Sequence, residues 1–135
     1  SDWSPHVRLV NQYGMGEAAT LCAYNDQLQP GQNAIVGRAG SGAIWITSPE
    51  SPEFLMPVGA VGEILIEGPH LARGYLDSVC QKPGVGFLPN APTWLKDLHP
   101  SRTGPSRFYQ LRRPGEIHTC RDCGTSWAAK TPSSR

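Results

Sequence analysis

Val58-Gly59-Ala60-Val61-Gly62-Glu63-Ile64-Leu65-Ile66-Glu67-Gly68-Pro69 is the stretch that sets the fold class. Its run Ile64-Leu65-Ile66 is too short for a helix and is bracketed by Gly62 and by Gly68-Pro69, so it predicts a strand buried on both faces. Upstream, Ala43-Ile44-Trp45-Ile46-Thr47 carries β-branched and aromatic residues and predicts a second strand. Between them, Ser48 to Pro57 holds three prolines and reads as a loop. Val7–Val10 predicts a further short strand, with nothing before it to pair with, so the chain is expected to enter in the middle of a sheet. Ala18 to Tyr24 is apolar, and its pattern leaves strand and short helix both open. Pro30-Gly31 marks a turn, and Trp94-Leu95 is the one anchor expected in the Pro- and Gly-rich stretch from Lys82 onward. Short strands at this spacing predict a mainly β architecture, a small barrel or sandwich element.

The composition agrees. Fifteen Gly and thirteen Pro in 135 residues disfavour long helices, and 39% apolar with 17% charged residues is within reach of one globular domain. No stretch approaches the roughly 20 apolar residues that span a bilayer, and no apolar leader follows the start. The expectation is a soluble, cytoplasmic protein without a membrane partner. Residues 1–97 hold 5 Lys/Arg against 9 Asp/Glu, while residues 98–135 hold 7 against 2, so the basic charge is confined to the tail. Its arginines are scattered among Pro, Gly and Ser without interleaved aromatics, which argues against nucleic acid.

Cys22 and Cys80 stand singly and read as small buried thiols. Cys120 and Cys123 form a CxxC with His118 nearby, one ligand short of a structural zinc site and without the helix start of a redox motif. A small zinc or redox protein built on that pair is one alternative reading. A non-catalytic interaction module on the β scaffold is another.

Two segments share a family pattern. Asn11-Gln12-Tyr13-Gly14-Met15-Gly16-Glu17 resembles the N-x-Y-G-P-[ST]-E motif of adenylate-forming enzymes. The Val58–Pro69 stretch, followed by Leu71-Ala72-Arg73-Gly74-Tyr75-Leu76, resembles the next core motif, in the wording of fungal nonribosomal peptide synthetase adenylation domains. Val36-Gly37-Arg38, Phe87 through Leu95 and Arg107-Phe108-Tyr109-Gln110 continue the resemblance collinearly over about residues 3–110. It implies an α/β fold, mainly β in this piece: part of the large subdomain, with a distorted β-barrel and an irregular C-terminal tail. Residues 1–110 are then a partial AMP-binding domain, and 111–135 a disordered tail.

The resemblance also implies a reaction. A carboxylate attacks the α-phosphate of ATP to give an acyl-adenylate and pyrophosphate, and the acyl group passes to the phosphopantetheine thiol of a carrier-protein domain. By the same resemblance Tyr13 packs on adenine, Asn11 recognises it, Gly14 and Gly16 let the backbone approach the nucleotide, and Glu17 holds Mg²⁺. An amino acid is the implied substrate, and no cofactor is expected to stay bound to this piece. Two positions depart from the pattern: Met15 stands for the usual Pro, and Gly16 for the Ser/Thr whose hydroxyl meets the α-phosphate. Losing such a donor costs on the order of 10²-fold in rate. Gly37–Gly42 lacks the Lys-Ser/Thr of a phosphate loop, and neither Glu63 nor Arg73 is assigned to chemistry.

The family's phosphate loop, ribose-binding Asp and lid Lys are not found in the sequence, which implies no acyl-adenylate formation by this chain alone. After Tyr109-Gln110 the expected T-G-D-L is replaced by Leu111-Arg112-Arg113. Codons permitted for Arg112–His118, shifted by one base, spell Gly-Asp-Leu-Val-Lys-Tyr, and those for Ser126–Ser133, shifted by two, spell a later family motif. The tail is therefore expected to be read out of frame.

Overall fold

The computed structural model describes residues 7–28, 36–76, 86–101, 106–111 and 118–119. The expectations for Ser1-Asp2-Trp3, Pro30-Gly31, Cys80, Cys120, Cys123, residues 112–117 and the chain beyond Thr119 lie outside the described residues. In chain order the strands are β1 (Asn11–Tyr13), β2 (Ala23–Asn25), β3 (Arg38–Ala39), β4 (Ala43–Thr47), β5 (Val61–Glu67), β6 (Gly86–Phe87), β7 (Phe108–Leu111) and β8 (His118–Thr119). A 3-10 turn at Gly16–Ala18 and a short helix, α1 (Trp94–Leu98), complete the described elements. Among the described residues no helix is long and apolar enough to cross a membrane.

The predicted strand at Ile64–Ile66 is the middle of β5. It pairs antiparallel with β4 over Ala43↔Glu67 to Thr47↔Glu63 and with β7 over Ile64↔Leu111 to Glu67↔Phe108. β6 continues the larger sheet beyond β7, and β8 pairs with β5 at Val61 and Gly62. Side chains alternate across a strand, so β5 feeds two clusters. Ile64 and Ile66 join Ile44, Ile46, Leu71, Tyr109 and Leu111 on one face. Leu65 meets Trp45, Phe108 and Leu95 on the other. Each such side chain contributes about 1.5–3 kcal/mol on burial, enough to make β5 the spine of the molecule.

The second face also carries the buried carboxylates Glu63 and Glu67. A buried carboxylate needs donors. The Trp45 indole N–H donates to Glu67 Oε2 at 2.9 Å, and the Gln110 amide donates to Glu63 Oε2 at 2.7 Å. The expected anchor covers them: Leu95 is buried, and Trp94 packs edge-on against Trp45 with centroids 5.0 Å apart. Its indole N–H donates to the Pro52 carbonyl at 2.9 Å, which ties α1 to the proline-rich loop.

The smaller sheet has the order β1-β2-β3. Here the structure differs from the expectation at Val7–Val10. Those residues form no strand and stand exposed, and the strand begins at Asn11, where β2 offers a partner. Arg8 instead reaches the Asp26 carboxylate at 2.6 Å. The ambiguous stretch Ala18–Tyr24 divides: Ala18 ends the 3-10 turn, Ala19 and Thr20 take positive φ, and Ala23 opens β2. The barrel expectation is also corrected: no closed barrel is found among the described residues, which form two antiparallel sheets. Strands of two or three residues in the smaller sheet supply too short a ladder to close one.

Candidate functional site

β1 delivers Asn11 and Tyr13 to the start of the loop, opposite Asn25 and Ala23 of β2, and both are half-buried. Tyr13 and Met15 pack against the larger apolar cluster. The loop then closes on itself through its backbone. Cys22 N–H donates to the Tyr13 carbonyl at 2.9 Å, and the N–H groups of Ala18 and Thr20 both donate to the Met15 carbonyl, at 3.1 and 2.9 Å. Buried Ala18, Cys22 and Ala23 fasten it to the core. Burial pushes the Cys22 thiol pKa up, so it is an inert apolar filler, as expected.

The two glycines of the loop serve different ends. A Cβ on Gly14 would collide with the Thr20 carbonyl, so only glycine permits that closure. A Cβ on Gly16 would meet nothing within 4 Å, so the space that a Ser or Thr would occupy is open. Met15 lies at φ −141°, ψ 163°, an extended backbone far from the φ of about −65° that proline imposes. The departure from the family's Pro thus goes with a local course that proline could not follow.

Glu17 is the centre of the polar arrangement. Its carbonyl accepts from Ala72 N–H at 2.8 Å, which joins the Asn11–Glu17 loop to the segment following β5. The Tyr75 hydroxyl donates to Glu17 Oε1 at 2.6 Å, and the Tyr109 hydroxyl lies 3.0 Å from the Tyr75 oxygen and 3.4 Å from Glu17 Oε1. Each phenol has a single proton. Since that of Tyr75 goes to Glu17, Tyr109 is the donor in its own contacts. The Tyr75 hydrogen bond, against the opposing effect of burial, holds the Glu17 pKa below its ordinary value. Burial raises the pKa of both Tyr75 and Tyr109, so the phenols keep their protons. The Glu17 backbone N–H also reaches its own carboxylate and helps to lower the Glu17 pKa.

Tyr75 and Tyr109 were not singled out from the sequence. Tyr75 stands inside the quoted Leu71–Leu76 segment and Tyr109 inside the quoted Arg107–Gln110 segment, so both were in view. Their convergence on Glu17, across 58 and 92 residues, depends on pairing that no local pattern carries. Arg107 helps to set it: its guanidinium donates to the Leu71 carbonyl at 2.7 Å, and its carbonyl accepts from Gly68 N–H at 3.2 Å.

The donor chemistry fits a hard divalent cation. Glu17 offers an ionised oxygen pair, and among the described residues no group of three or more His, Cys, Asp or Glu could enclose a metal. A single carboxylate completed by phosphate oxygens and water is the arrangement Mg²⁺ favours.

No protein-family model matches the chain. Curated relatives do. The malformin synthetase of Aspergillus niger is 38% identical over 109 residues, 80% of this chain. The nonribosomal peptide synthetase atnA of Emericella nidulans is 46% identical over 109 residues, and dtpA of Aspergillus flavus 40% over 121. The chain spans 2%, 1% and 4% of their respective lengths. Two solved structures share the fold. The Vibrio cholerae adenylation domain AlmE, in complex with glycyl-adenosine-5'-phosphate, matches 83% of this chain and 19% of its own, with a TM-score of 0.54 and 22% identity. Holo-PA1221, a nonribosomal peptide synthetase protein with adenylation and PCP domains bound to a vinylsulfonamide inhibitor, matches 85% of this chain and 20% of its own, with a TM-score of 0.55 and 19% identity. By sequence, then, the chain is similar to fungal nonribosomal peptide synthetases over about four fifths of its length, and it shares its fold with solved adenylation domains.

Proposed function

We propose that the chain carries the adenine and metal corner of an amino-acid-activating site. Asn11 and Tyr13 take the adenine, Gly14 and Gly16 lie along the AMP moiety, and Glu17 holds the Mg²⁺ of ATP. The observation that carries this reading is the state of Glu17: ionised, with Oε1 held by hydroxyl donors, at the end of a loop that only Gly14 can close. The adenylate bound by AlmE supports a nucleotide at such a site, and the PCP domain of PA1221 supports a carrier domain as partner. In the whole synthetase the site would activate an amino acid, which is then transferred to the carrier's phosphopantetheine thiol. We place that activity in the cytoplasm, and the adenylation part of this chain in residues 1–110, with a tail over 111–135 of which Leu111 still belongs to β7 and His118–Thr119 still pair with β5.

The chain alone forms no acyl-adenylate on this reading, because one carboxylate and a few backbone groups cannot neutralise the charge that develops on the phosphates. The test is amino-acid-dependent ATP–pyrophosphate exchange over the twenty protein amino acids and common nonprotein ones. No exchange above a Glu17→Ala control is expected. Turnover with any substrate would show that the chain is a complete catalyst.

A further inference from the structure

Glu17 sits on a 3-10 turn of three residues, too short to fix a long side chain by its own backbone. What fixes it comes from elsewhere in the chain. Tyr75, on the segment after β5, and Tyr109, on β7, both bring their hydroxyls to Oε1. Their rings are themselves held. Phe87 meets Tyr75 edge-on at 5.4 Å and Tyr109 edge-on at 5.0 Å, and it pairs with Tyr109 across β6 and β7. The Ala72 N–H to Glu17 carbonyl bond fixes the distance between the loop and the segment that carries Tyr75.

The type of donor matters as much as the place. A Lys or Arg on Oε1 would cancel the charge that a cation needs. A phenol supplies direction without positive charge, and Arg107, the basic residue beside β7, is turned to the Leu71 carbonyl. Both hydroxyls converge on one oxygen, Oε1, and a carboxylate keeps lone pairs on its second oxygen for a further partner.

We propose that Tyr75, backed by Tyr109, is a positioning residue that grips Glu17 by Oε1 and presents Oε2 to a divalent cation. The inference rests on Glu17 as the metal carboxylate and adds to it the groups that aim it. The Glu17 pKa, held down chiefly by the Tyr75 hydrogen bond, agrees with the geometry.

The test uses the full 135-residue chain, ¹⁵N-labelled, titrated with Mn²⁺ in the presence of ATP. Paramagnetic broadening of the Gly16, Glu17 and Ala18 amides gives the apparent affinity. Broadening is expected in the unaltered chain, and Glu17→Gln should weaken it by well over about tenfold while leaving residual binding through the bound ATP. Tyr75→Phe, which removes one oxygen at a partly exposed site, should weaken binding about tenfold, the low end of what losing a ligand's outer partner costs. Tyr109→Phe should weaken it less. In the Glu17→Gln background Tyr75→Phe should change nothing further, since a residue acting only through Glu17 has no effect once Glu17 is gone. Binding in Tyr75→Phe equal to or tighter than in the unaltered chain overturns the grip while leaving Glu17 as the metal carboxylate. An equal loss in both backgrounds also overturns it, as a general structural effect. Absence of broadening at these amides in the unaltered chain, or broadening undiminished in Glu17→Gln, removes the metal reading itself and the inference with it.

Discussion

In the larger sheet, the seven-residue strand β5 is paired along both edges and buries six of its residues. In the smaller sheet no strand exceeds three residues, and the loop between β1 and β2 is closed by three backbone hydrogen bonds around Gly14. The first region is held by apolar area, which is tolerant of detail and intolerant of lost volume. The second is held by close approach, where one added methyl matters and a change of apolar bulk matters little. The proposed site sits on the second, and the hydroxyls that meet its Glu17 come from residues that the first supplies: Tyr109 lies on β7, and Tyr75 follows β5.

The comparison breaks first in the larger sheet. Leu65→Ala removes a fully buried side chain between Trp45, Leu95 and Phe108 and should cost about 2–5 kcal/mol. Against the marginal stability of a domain, about 5–15 kcal/mol, that is a large fraction. A melting temperature lowered by roughly 10 °C or more by circular dichroism is the expected result, and a melt like that of the unaltered chain would show that β5 is not the spine.

A paired substitution in the loop sharpens the contrast. Gly14→Ala forces a Cβ onto the Thr20 carbonyl and should cost about 1–3 kcal/mol. Gly16→Ser adds more atoms two residues away, yet should stay within about 0.5 kcal/mol, because it enters open space. Urea midpoints at constant slope separate the two. Equal costs would mean that the loop is not closed in the way described.

The larger sheet was legible in the sequence because burial on both faces leaves a contiguous apolar run, and β4 and β5 showed as Ala43–Thr47 and Ile64–Ile66. The loop was legible only through its resemblance to a family motif, since Asn11 to Glu17 carries no periodicity. Val7–Val10 misled for a physical reason: strand propensity needs a partner, and among the described residues the partner lies opposite Asn11–Tyr13. Met15 and Gly16 read as departures from the family pattern. The structure adds that the first sits on backbone proline cannot adopt, and that the second leaves room for the missing hydroxyl. Tyr75 and Tyr109 were beyond the sequence, because their role lies in tertiary convergence.

The smallest effect is one of pH. His70 packs against Gly42 and Gly68 at the turn after β5, and its ring nitrogens are buried with no hydrogen-bond partner among the described residues. Burial lowers its pKa from 6.5. The folded state therefore binds the proton less readily than the unfolded one, and this contribution to stability is present in full above about pH 6.5 and is lost as pH falls below it. Melting temperature should decline modestly between pH 7.5 and 5.5, and less in His70→Gln. An identical decline in that variant would assign the pH dependence elsewhere. Glu17, with its lowered pKa, acts in the same direction further down: its contribution is present above the ordinary value of 4.5 and is lost as pH falls through the folded value.

Whether Asn11–Glu17 is a nucleotide site is tested most directly by saturation transfer from the chain to AMP, observed by NMR at the adenine H2 and H8 protons. The account predicts transfer in the unaltered chain, displacement by ATP, and loss in Tyr13→Ala with the fold retained. Transfer that is absent from the unaltered chain, or undiminished in Tyr13→Ala, would contradict it.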